Sequence, residues 1–241
     1  MVKTTAIKKS MSKKIVTIFA VSLLIACINA CDKTENKISY QSCNSLLYNC
    51  QGSGDGTFCT LGYKWGSDNP FTTAGLEIDG PGTPGGKVSY SFMPEGRMIN
   101  THSQTDLTSL SIDHITVCDP REQIRQALQA WEAVTNIEFE EIIGDSGAGD
   151  LRFVALNITQ GGLGYPAFTD DLCGSIAGQI VIDVPTRNTC EGFYHLLLHE
   201  IGHGLGLGHV STSNVMNPNL QNFTELQTGD IQGIQSIYGK K

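Results

Sequence analysis

His199-Glu200-Ile201-Gly202-His203 sets two imidazoles four residues apart. On a helix, such positions are rotated by roughly 40° and separated by about 6 Å along the axis, so both rings can converge on one ion. Glu200 projects beside them, near enough to reach a metal-bound water without serving as a ligand. If the helix ran on past His203, position 209 would lie about 240° further round and face away. The chain must therefore turn, and Gly204, Gly206 and Gly208 are residues for which a positive φ carries no Cβ penalty. Gly206 sits where the turn is wanted, His209 can then swing back to the same ion, and Leu205 and Leu207 pack beneath. Three neutral imidazoles with one open position are the ligand set of a catalytic zinc rather than a structural one. The chemistry to expect is a zinc that lowers the pKa of water and polarises a carbonyl. Glu200 would accept the water proton and pass it to the leaving group.

The pair of histidines around a glutamate can arise by chance in a helix; the added Gly206 and His209 at fixed spacing make the pattern specific. His199 to His209 matches the metzincin signature H-E-x-x-H-x-x-G-x-x-H at every specified position. Met216, seven residues on, matches that family's Met-turn, a hydrophobic floor under the zinc. Within metzincins the chain resembles the matrixins. Ser213-Asn214-Val215-Met216-Asn217-Pro218 is similar to their Met-turn followed by proline, and 226–239 is similar to their closing helix. The resemblance spans roughly 87–239.

The resemblance implies a zinc endopeptidase with one catalytic zinc on His199, His203 and His209, Glu200 as base, and a protein or peptide as substrate. It implies that Pro218 and its neighbours wall the pocket for the side chain just after the scissile bond. Gly162-Leu163-Gly164-Tyr165 would be an edge strand that pairs with extended substrate through backbone hydrogen bonds. The chain departs from the matrixin pattern in several places. Val210 stands where matrixins usually carry Ser, a cysteine-switch motif is missing, and 32–86 is short for a matrixin prodomain. Residues 144–188 contain no histidine, so a second, structural zinc is not expected. Asp170, Asp171 and Asp183 are the candidate calcium ligands, against the plainer reading of solvated loop acids. Two alternatives stand beside the endopeptidase: a metzincin of another subgroup, and a zinc-containing surface binding module with little turnover. Glu200 favours an enzyme, because a binding module needs no base there.

Several elements must position these residues. Val88, Tyr90 and Phe92 alternate with polar residues, as in a half-buried strand. Asp119-Pro120-Arg121-Glu122 is a helix start, with Asp119 to cap and Pro120 suited to the first position. Ile124, Ala127, Leu128, Trp131 and Val134 follow at helical spacing and make one apolar face. Residues 137–143, 151–156, 163–168 and 179–183 read as strands, 191–204 as a helix, and a last helix begins after Thr228 with Ile231, Ile234, Ile237 and Tyr238 on its buried side. This order predicts a layered α/β or α+β domain. The resemblance makes it a zincin-like metzincin domain: a twisted, mostly parallel five-stranded sheet with an antiparallel edge strand, two long helices and a C-terminal helix.

The 241 residues carry a net charge of −8. The first 30 residues hold five of the lysines and no acid, so without them 11 basic residues face 24 acidic ones, a net −13. Such a chain repels a phosphate backbone, which excludes nucleic-acid binding by charge, and it would not coat an anionic membrane. The lysines precede an apolar run, 15–28, too short for a membrane span, so residues 1–30 read as a signal peptide and the protein as exported. Leu24-Ile25-Ala26-Cys27 resembles a bacterial lipobox, Ile28-Asn29-Ala30-Cys31 is a looser second candidate, and cleavage near Ala30 without lipidation is the alternative. A membrane contact is expected only through such an anchor, and no obligate protein partner is evident. Residues 31–86 read as a Cys- and Gly-rich N-terminal segment ending at the breaker cluster 80–86, with the catalytic domain over 87–241. Eight cysteines in an exported chain point to disulfides; their connectivity is not readable from sequence. His195, one turn before His199, reads as core-facing or supporting rather than as a fourth ligand.

Overall fold

Val88, Tyr90 and Phe92 turn one apolar face of a strand, β1 (Gly86–Phe92), into the interior, where all three are buried. In the computed structural model, which describes residues 41–46, 50, 56–66, 86–159, 161–169, 172–185, 189–219 and 222–241, this strand is central to the architecture. It pairs in parallel with β4 (Ile137–Glu141) on one side and β5 (Leu151–Leu156) on the other. β7 (Gln179–Asp183) extends the sheet in parallel and β6 (Gly162–Gly164) closes it antiparallel. The order is β4-β1-β5-β7-β6, a mostly parallel five-stranded sheet with an antiparallel edge. A separate two-stranded ribbon, β2 (Met98–Ile99) with β3 (Leu107–Thr108), has no counterpart in the sequence reading.

The inner strands β5 and β7 bury both faces, as strands of parallel sheets do. On one face Val88, Tyr90, Phe153, Ala155, Ile180 and Ile182 meet two helices, α2 (Pro120–Glu132) and α3 (Cys190–Gly204). On the other, Val154, Leu156 and Val181 meet Tyr165, Phe168, Cys173 and Ile176. α2 begins as its sequence dictates, with Asp119 accepting from the Glu122 amide at 3.1 Å and Pro120 in the first turn. Its Trp131 is fully buried and donates its indole N–H to Leu198 O of α3 at 3.2 Å. α3 is apolar nearly all round because it is covered on every side. The C-terminal helix, α4 (Thr228–Tyr238), sends Ile234, Ile237 and Tyr238 into the same core.

Two expected strands are shorter than the sequence suggested. β4 stops at Glu141. The stretch read as 163–168 is strand only to Gly164, because Pro166 has no N–H for a ladder and Phe168 N–H turns back to Pro166 O at 2.8 Å. A short helix, α1 (Gln41–Leu46), precedes the sheet. Residues 39–241 form one compact unit, and within it Leu61 and Trp65, assigned by sequence to an N-terminal segment, are buried against the domain that follows. The six cysteines from 43 onward pair as Cys43–Cys173, Cys50–Cys59 and Cys118–Cys190. Cys43, Cys50 and Cys59 therefore offer no thiolate to a metal. The signal-peptide region with Cys27 and Cys31, the cluster 80–85, and Asp170 and Asp171 lie outside the described residues. Among the described residues no helix is long and apolar enough to cross a membrane.

Candidate metal centre

His199 and His203 lie in the last turns of α3, one above the other and buried. The helix closes just beyond them: Gly206 N–H bonds to His203 O and Leu207 N–H to Gly202 O, both at 2.9 Å. These are the two bonds of a Schellman end, whose reversing residue needs a positive φ. Gly206 supplies it at φ 102°, and a Cβ there would also strike Tyr63 O. The reversal brings His209 back over the helix.

The three Nε2 atoms converge. They stand 3.1 Å apart for His199 and His203, 3.2 Å for His199 and His209, and 3.0 Å for His203 and His209. His199 Nδ1 faces Val215 O at 2.7 Å and His203 Nδ1 faces Leu207 O at 2.8 Å. A carbonyl only accepts, so each Nδ1 must carry the proton and each Nε2 a lone pair. Two such lone pairs aimed at one point repel unless a cation lies between them. A tetrahedral zinc with bonds of about 2.0–2.1 Å would set its nitrogens roughly 3.3 Å apart, close to this triangle. The residues present therefore fit one zinc ion. Burial, then the neighbouring rings, push the His203 imidazole well below the ordinary histidine range, and burial lowers His209 as well. Both shifts favour the neutral ring, the state a ligand needs.

Glu200 lies buried on α3 beside these rings. Over it runs β6. A Cβ on Gly162 would stand 2.8 Å from Glu200 Oε1, and one on Gly164 would strike Glu200 O and come within 2.8 Å of His203 Cβ. The strand can approach this closely only because those two positions carry no side chain. Gly161 O and Tyr165 N bond inward to β7, at Asp183 and Gln179. Antiparallel alternation therefore turns the peptide groups of Gly162 and Gly164 outward along the sheet edge. Leu163 is half-buried and packs towards the second core cluster. Tyr165 does not join the edge. Its ring is fully buried, its hydroxyl meets His102 Nδ1 at 2.9 Å, and its carbonyl takes Gly178 N–H. Burial raises its phenol above the ordinary tyrosine range.

Met216 is buried, with its sulfur packed against the Cα of Gly202, where a Cβ would collide with it. Its carbonyl accepts from Val210 N–H at 3.1 Å. Pro218 is exposed two residues further on. His195 is buried, with Nδ1 3.0 Å from Phe223 O, and takes no part in the metal cluster. Asp183, the described member of the calcium candidates, is buried and accepts from Ile158 N–H at 3.0 Å.

Two features escaped the sequence reading. Gly162 was expected on the substrate edge, but its close approach to Glu200 gave no signal. Asp230 had one: it is the third residue of α4, where a carboxylate caps. It accepts from Gln227 N–H at 2.9 Å and also from Val215 N–H at 2.9 Å and Met216 N–H at 3.2 Å, so the cap of the last helix also clamps the Met216 turn.

Residues 104–239 match the family model described as matrixin, peptidase M10. Human matrix metalloproteinase-19 is 31% identical over 140 residues, which cover 50% of this chain and 26% of that protein. Metalloendoproteinase 1-MMP of Arabidopsis thaliana is 30% identical over 150 residues, covering 53% of this chain and 40% of that protein. Human matrilysin is 44% identical over 55 residues, a fifth of each chain. The chain thus spans well under half the length of these relatives.

Proposed function

Since the chain belongs to the matrixin family of peptidases, we propose that it is an exported zinc endopeptidase that hydrolyses peptide bonds in extracellular proteins. The observation that carries this reading is the triangle of Nε2 atoms, 3.0–3.2 Å on a side, with a buried glutamate beside it. Zinc held by His199, His203 and His209 would supply Lewis-acid chemistry, lowering the pKa of water and polarising the scissile carbonyl. The chain's own residues do the rest. Glu200 takes the proton from the attacking water and hands it to the departing amine. The outward peptide groups of Gly162 and Gly164 bond to an extended substrate as an added strand, which aligns the scissile bond along α3. Leu163 and Pro218 border that groove. Three disulfides among the described residues suit an oxidising, extracellular setting. Membrane attachment, if Cys27 or Cys31 is lipidated, belongs to the same proposal.

Cleavage of an unfolded protein by the purified chain, with and without a chelator, tests the proposal. Activity should vanish with chelator and return with added zinc; cleavage indifferent to chelator would contradict it. Gly162→Ala should lower kcat by about 10²-fold at unchanged zinc content, since displacement of a reacting group by about 1 Å costs that much. Unaltered turnover would mean that Glu200 does not act from its place under β6.

The depressed imidazoles predict a pH effect in the zinc-free protein. His203 and His209 stay neutral in the fold while the unfolded chain takes up protons near pH 6.5. Their contribution is therefore intact above about pH 6.5 and is lost as pH falls from there towards the lower folded values. Imidazole NMR titrations of the zinc-free protein should show both rings neutral below pH 6.5; ordinary midpoints would contradict the burial argument.

A further inference from the structure

Residues 56–66 lie outside the stretch that matches the family model, yet they bond to the turn that delivers the third ligand. Trp65 Nε1–H donates to Gly204 O at 2.8 Å. Leu61 N–H donates to Gly206 O at 2.8 Å, and Gly208 N–H donates to Cys59 O at 2.9 Å. Thr60 faces Leu207 in an antiparallel bridge. Tyr238 links the two as well, accepting Trp65 N–H at 3.1 Å and donating to Leu205 O at 3.0 Å. Leu207 O takes the His203 ring. Between His203 and His209, Gly204, Leu205, Gly206 and Gly208 each tie a backbone group to this segment, directly or through Tyr238. The segment then reaches the Met216 turn, where Asn214 Nδ2 donates to Thr57 O at 2.9 Å. Cys59, Leu61 and Trp65 are all buried.

We infer that residues 56–66 are a positioning strap for the metal centre, which orders the Gly204–Gly208 turn so that His209 meets the other two imidazoles before the metal arrives. This rests on the zinc reading above. An apolar patch that only covered the core would need none of these bonds to consecutive peptide groups. The distinction matters for affinity. A turn that must be ordered when the ion binds weakens binding by the ordering free energy, whereas one ordered by folding does not.

Trp65→Phe keeps the ring and removes the N–H that Gly204 O accepts. In the full chain it should raise the zinc dissociation constant about tenfold or more, the usual effect of losing a group that supports a ligand. Competition with a chromogenic chelator reads that constant. The visible bands of the Co²⁺-substituted protein should shift with it, as the geometry of His209 loosens. If Trp65→Phe does not fold, the double variant Cys50→Ala/Cys59→Ala, which frees the strap beside Gly208, is expected to give the same two changes. Cys118→Ala/Cys190→Ala serves as the control. That disulfide joins the starts of α2 and α3, away from the turn, so its loss should lower the melting temperature and leave zinc affinity and the Co²⁺ bands unchanged. Wild-type zinc affinity and Co²⁺ bands in the strap variants would overturn the strap alone. So would a control that loses zinc as they do, because the effect would then follow stability. A wild-type chain that takes up no zinc, or takes it up equally after His203→Ala, would overturn the zinc reading itself.

Discussion

Replacing Glu200 by Gln should give a protein that holds zinc as tightly as the wild type and cleaves protein substrates about 10²–10⁴-fold more slowly. Glutamine keeps the volume of the side chain, so the close contact between β6 and α3 at Gly162 survives. It cannot take a proton from water at neutral pH, and that is the step assigned to this group. The three imidazoles are untouched, which makes zinc content the internal control. Side-by-side measurement of kcat and bound zinc decides the matter. Near-wild-type turnover in a fully loaded variant would remove Glu200 from the mechanism. Loss of zinc together with turnover would make the residue a support of the site rather than its base.

Asp230→Ala should cost roughly 3–5 kcal/mol of stability, the scale for buried donors stripped of a charged acceptor. Burial pushes this carboxyl up, while three backbone amides, of Val215, Gln227 and Met216, pull it down by favouring the carboxylate. Alanine leaves those amides without it. The damage should also reach the metal by a short path. Val215 N–H is held by Asp230 at 2.9 Å, and Val215 O receives His199 Nδ1–H at 2.7 Å. A loosened Val215 therefore weakens the bond that fixes the tautomer of a ligand, and zinc affinity should fall about 10- to 100-fold. Asp230→Asn, with one oxygen left to accept, should lose less of both. Denaturant midpoints and chelator competition on the two variants check this. A stable Asp230→Ala protein with unaltered affinity would show that the Met216 turn holds its shape without the clamp.

The sequence made the metal centre legible because coordination imposes a spacing. Two ligands four residues apart on one helix share a face, and here the third returns through a residue that tolerates φ 102°, which Gly206 adopts. The strand β5 was plain too, since burial on both faces leaves a nearly continuous apolar run. The strap was not legible. Most of its contribution is made through peptide groups, which every residue has and which leave no mark in a sequence. Disulfide pairing was hidden for a related reason: Cys43 and Cys173 are 130 residues apart, and nothing local at either reports the other. The resemblance put Tyr165 on the substrate edge with Gly162 to Gly164. In the structure its N–H bonds inward to Gln179 O and its ring is buried, and only the register with β7 shows that the outward peptide groups are those of Gly162 and Gly164.

The position of β1 between β4 and β5 bears on how the molecule can be divided. The recognisable family stretch begins at residue 104, after β1 has ended. A fragment cut there would strand β4 without its sheet neighbour and leave β5 with a bare row of amides and carbonyls along one side. Such an open edge is a template for pairing with other copies. Handled as a domain bounded by homology, the protein would be a source of aggregates; its smallest independent piece must include the strand that the family stretch leaves out.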